Sequence, residues 1–165
     1  MSSTMKDILW RPISPEKTNM AKLTQLINER YGQDIGSYED LHQWSVKNIP
    51  EFWEEVWRYC DVNHSKPYSN IVDDTKAMPG AEWFKDAKLN YAENLLRFRD
   101  DHIAIKFKSE GRPVREISYH ELFKEVEKLS HSLRILGVCK GDRVAGFIPN
   151  IPEAVIAMLA TSSIG

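Results

Sequence analysis

The sequence is short of cysteine, of glycine-rich runs, of clustered positive charge and of long apolar stretches, and each shortage removes a class of function. Its two cysteines, Cys60 and Cys139, stand far apart with no Cys or His at ligand spacing. That excludes a zinc site and a disulfide framework and leaves two buried thiols as the expectation. The most apolar stretch, 144–164, is interrupted by Pro149, Asn150, Pro152 and Glu153, so it reads as a buried strand and then a buried helix, not as a membrane span. The formal net charge is -2 and the lysines and arginines are scattered. No basic face is therefore set up for nucleic acid or for an anionic membrane. Residues Met1 to Trp10 have neither the apolar core of a secretory leader nor the Arg-rich, acid-poor character of a transit peptide. Together with the cysteine usage this points to a reducing, cytosolic setting. Internal repeats, low-complexity tracts and long charge runs are absent.

What is present describes a soluble globular chain, 42% hydrophobic and 28% charged. Ser14-Pro15 offers a cap followed by proline in the first turn, and Met20, Leu23, Ile27 and Tyr31 recur at helical spacing up to Gly32. Ser37 caps a second helix through Trp44, and Pro50 opens a third in which Trp53, Val56, Trp57 and Cys60 make an aromatic stripe expected to be core. Residues 61–90 carry many turn formers and read as an ordered connection, with Tyr68, Trp83 and Phe84 as docking anchors. Asn90 caps a helix expected to reach about Phe98.

The periodicity then changes. Ile103–Phe107 and Val114–Ile117 are strand-like runs around Glu110-Gly-Arg-Pro113, which reads as a hairpin. Ser118-Tyr-His-Glu121 is a capping box, and the helix after it shows Leu122, Val126, Leu129, Leu133 and Leu136 on one face before Gly137. Arg143–Ile148 reads as a strand buried on both sides, and Pro152 begins a last helix. Strand, helix, strand, helix is the opening of an α/β domain with a parallel sheet, preceded by a helical N-terminal extension.

Few residues invite a chemical reading. Asp61-x-Asn63-x-Ser65 resembles half a calcium loop, but Lys66 and Val72 stand where glycine and glutamate are needed. Asn63-His64-Ser65 matches a glycosylation triplet that a cytosolic chain does not use. Gly137, Gly141 and Gly146 lack the spacing of a phosphate loop or a dinucleotide fingerprint; they read as a helix stop, a turn and a close-packed strand position. The histidines, His42, His64, His102, His120 and His131, have no paired ligand spacing, and the pairs Glu54-Glu55 and Asp100-Asp101 read as solvated charge. The aromatic set Trp44, Phe52, Trp53 and Trp57 reads as core and not as a ligand box.

The runs His42-Gln-Trp-Ser-Val46 and Pro50-Glu-Phe-Trp53, then Trp83-Phe84 with Leu89-Asn-Tyr-Ala-Glu-Asn-Leu-Leu-Arg97, resemble the N-terminal extension of the acetyl-CoA synthetase branch of adenylate-forming enzymes. The second set closely resembles the acetoacetyl-CoA synthetase type. Ser118–Leu122, Gly141–Asn150 and Pro152–Gly165 resemble the first motifs of the AMP-binding domain. The resemblance runs from about Ile8 to Gly165 and implies an extension over 1–98 and the start of a truncated AMP-binding domain over 99–165. It implies an ATP-dependent ligase of ketone-body and lipid metabolism that makes an acyl-adenylate from acetoacetate, releases pyrophosphate and passes the acyl group to coenzyme A. In the family a Ser/Thr/Gly-rich loop followed by lysine, a ribose-binding acid, a lid lysine and Mg2+ serve that chemistry. No position here matches any of them, so no catalytic, cofactor-binding or metal-ligating residue is assigned. No cofactor is expected to bind these residues stably, and an isolated chain of this kind is expected to be inactive and partly molten, with uncovered sheet edges. Two alternatives stay open: an acetate or propionate ligase, and a non-catalytic helical binding module.

Overall fold

The computed structural model describes residues 10–165. The expectations that rest on Met1 to Leu9, namely the absence of a leader and the start of the resemblance at Ile8, lie outside the described residues. The chain forms two compact units, one from residues up to Val62 with Ser69–Lys85, the other from Asn63–Tyr68 with Asp86–Gly165.

In the first unit a 3-10 turn, Pro15–Lys17, leads into α1, Asn19–Tyr31. Ser14 makes no capping bond, contrary to the sequence reading. Thr18 is the cap instead: its hydroxyl donates back to the Pro15 carbonyl and accepts from the Ala21 N–H at 3.2 Å. Gly32 closes α1 at φ 62°, a conformation that glycine adopts without a Cβ penalty. Ser37 caps α2, Tyr38–Lys47, as expected, and Pro50 lies in the first turn of α3, Ile49–Tyr59. Ile27, Ile35, Leu41 and Trp44 form the core of this unit, with Leu23, Tyr31 and Phe52 packed on it.

The aromatic stripe of α3 is not the buried face. Trp53 and Cys60 are exposed, and the buried residue of the helix is Glu55. The connection after α3 contains two short strands that turn-former content concealed. These are β1, Asn70–Val72, and β2, Trp83–Lys85, antiparallel with Asn70 opposite Lys85. The Asp73 carboxylate accepts from the N–H groups of Asp74 and Glu82, which closes the intervening loop and holds its own proton affinity below the usual carboxylate range. Trp83 meets Trp53 edge-on at 6.1 Å and Phe84 lies 4.6 Å from Trp57, so both anchors dock on α3.

In the second unit α4 is shorter than read, Tyr91–Leu95, and is capped by Asn90. The same Asn90 side chain donates to the Ser162 carbonyl at 2.9 Å, tying α4 to the last helix. The hairpin pairs β3, Ile103–Phe107, with β4, Arg115–Ser118, antiparallel, with an irregularity between Ile103 and Ile105. The capping box starts α5, Tyr119–Ile135, and Pro152 starts α6, Pro152–Ile164. Ala92, Leu96, Ile117, Leu122, Val126, Ile156, Leu159 and Ala160 close the core between these elements.

Among the described residues both sheets are two-stranded and antiparallel, so the parallel sheet implied by the α/β pattern is not assembled within them. Arg143–Ile148, read as a doubly buried strand, is exposed throughout and belongs to no strand. Among the described residues β3 pairs only with β4, and no strand flanks this run. Gly146 is accordingly open, with only Ile148 near the place a Cβ would occupy.

Candidate functional site

Several polar side chains among the described residues join elements or close turns. Glu55 is 1% exposed, and its carboxylate accepts from Arg58 at 2.7 Å, from Arg30 at 3.1 Å and, more weakly, from the Tyr31 hydroxyl at 3.4 Å. The sequence reading had placed Glu54 and Glu55 in solvent; Glu55 is buried, and Glu54, its side chain 20% exposed, pairs with Arg58 at 2.6 Å. A carboxylate held by two guanidinium groups is a cross-link between α1 and α3, not a general base. Burial, and next the Glu55 charge, push the Tyr31 phenol above its ordinary value. The sequence signal for this cluster was Arg58 following Glu54 and Glu55 at i+4 and i+3.

The thiols are exposed, not buried as expected. Asp142 accepts from the Cys139 N–H at 2.8 Å and lies 3.3 Å from its sulfur. The thiol's own hydrogen bond to Asp142, reinforced by the Asp142 charge, raises the Cys139 thiol, which argues against a nucleophilic role. Asp100 accepts from the His102 N–H and ring, both at 3.1 Å, and is held below the usual carboxylate range chiefly by the backbone bond. His120 sits in the first turn of α5, with its N–H on the Asp100 carbonyl. His42 stacks beside Tyr38.

The half calcium loop is likewise spent. Asn63 exchanges hydrogen bonds with Asn94, and the Ser65 hydroxyl donates to the Lys88 carbonyl. Among the described residues no three acidic, histidine or cysteine side chains converge on one point, and no glycine run surrounds a phosphate-sized space. A cavity of about 460 Å³ lies in the second unit against α5. Arg99 lies 3.8 Å over the Phe123 ring there, beside Arg134, Glu93 and Glu127, and the Ser130 hydroxyl is already given to the Glu127 carbonyl. It holds mixed charge and no activated nucleophile.

Residues 38–95 match the acetyl-coenzyme A synthetase N-terminus and residues 92–165 match the AMP-binding enzyme family. The chain belongs to the AMP-binding enzymes of the acetyl-CoA synthetase type. Among curated proteins it is similar to acetoacetyl-CoA synthetase of Danio rerio, 41% identical over 96% of this chain and 24% of that protein. It is also similar to malonamoyl-CoA synthetase of Penicillium aethiopicum, 39% identical over 97% of this chain and 23% of that one. The solved acetoacetyl-CoA synthetase from Streptomyces lividans superposes with a TM-score of 0.83 at 40% identity, over 91% of this chain and 24% of that structure. The mixed helix-and-strand fold is thus that of the opening part of such a synthetase, and the chain spans about a quarter of the length of the relatives it matches.

Proposed function

We propose that these residues are the N-terminal portion of an ATP-dependent acid–thiol ligase whose acid is acetoacetate. The supporting observation is the 41% identity to an acetoacetyl-CoA synthetase across 96% of this chain. In this reading the whole ligase joins the acid to ATP, releasing pyrophosphate and forming an acyl-adenylate. The coenzyme A thiol then displaces AMP. Residues 1–98 serve as the extension and 99–165 as the start of the AMP-binding domain, in a cytosolic enzyme of lipid metabolism. Consistent with a non-spanning chain, no helix among the described residues is long and apolar enough to cross a membrane.

The described residues contribute position. The buried Glu55 cluster fixes α1 on α3, and Asn90 fixes α4 on α6. The charge that develops on the α-phosphate needs a loop, a cation and a lysine that other parts of the ligase supply. The near-equal identity to a malonamoyl-CoA synthetase favours a second reading of the acid. Acetoacetate and malonamate are both short carboxylates with a carbonyl at the 3-position, so the substrate class is a 3-carbonyl acid under either.

The test is pyrophosphate release from ATP with acetoacetate, malonamate, acetate and propionate, using the product of the full reading frame beside the 165-residue chain alone. Acetoacetate preferred by the long product, with the short chain silent, supports the proposal. Preference for acetate or propionate overturns the acid, and turnover by the short chain overturns the claim that its residues only position.

A further inference from the structure

We draw no further inference here: the strongest candidate, the cavity against α5 in the second unit where Arg99 and Arg134 stand beside Glu93 and Glu127, brings together opposite charges on exposed side chains, and nothing in the structure shows what would occupy it.

Discussion

Glu55 shows how one residue can be read with the right chemistry and the wrong place. Removing a carboxylate from water costs several kcal/mol unless partners replace the solvent. Here Arg58, Arg30 and the weaker Tyr31 contact do so, and both arginines keep much of their surface in water. Glu55→Gln, which keeps the shape but not the charge, should lower stability by about 1–2 kcal/mol, read from urea unfolding. Glu55→Lys sets a third positive charge among two and should cost at least about 3 kcal/mol. Tyr31 gives an independent optical readout. Its raised pKa means that neutral phenol is favoured by the fold, so this contribution is whole below the ordinary value of 10.0 and is lost as pH rises through the folded value. In Glu55→Gln the 295 nm titration of Tyr31 should shift down but not back to ordinary, since burial is the larger cause. Cys139 offers a second check at the same scale. Asp142→Asn removes the negative partner that raises the thiol, and alkylation of Cys139 at pH about 8 should then speed up several-fold. An unchanged rate would show that the 3.3 Å contact does not govern the thiol.

Among the elements, those with local signals were legible and those that depend on distant partners were not. The capping box at Ser118 is local: its hydroxyl accepts from the Glu121 N–H at 3.2 Å, and Glu121 accepts from the Ser118 N–H at 2.9 Å. Ser37, Asn90 and Pro152 were placed by the same kind of short-range rule. The α3 stripe failed because helical spacing shows which residues share a face but not which face turns inward. With Glu55 bound to α1, the tryptophans face the short β1–β2 sheet, whose pairing spans a long loop and has no local signature. Ser118→Ala should cost about 1 kcal/mol in thermal or urea unfolding. Glu121 adds a pH signature, because the Ser118 N–H bond depresses its pKa. Its contribution is present above the ordinary glutamate value of 4.5 and is lost as pH falls through the lower folded value. The stability gap between wild type and Glu121→Gln should therefore narrow below about pH 4.5, and a gap independent of pH would show that the carboxylate charge plays no part.

For the whole molecule the sequence pattern described a larger body than these residues build. The run Arg143–Ile148 carries the composition of a strand buried on both sides, yet here it lies in water. Of a candidate site nothing was legible, because the sequence holds no phosphate-loop spacing and no metal-ligand spacing. The resemblance, not any constellation of side chains, carried the function. This mismatch makes Phe147 a thermodynamic reporter of what the chain belongs to. Its side chain is fully exposed, so Phe147→Ala in the 165-residue chain removes no packed contact and should change unfolding free energy by no more than about 0.5 kcal/mol. In the continuous ligase the same substitution empties a buried site and should cost about 3–5 kcal/mol, as large-to-small core changes do. One substitution measured in two settings thus separates a residue that is apolar by chance from one shaped for a covering body. A small cost in both would mean that Phe147 remains at the surface of the ligase and that the strand pattern has another origin. A large cost in the short chain would mean that this segment already packs in solution, and that the exposure seen at 143–148 is not its resting state.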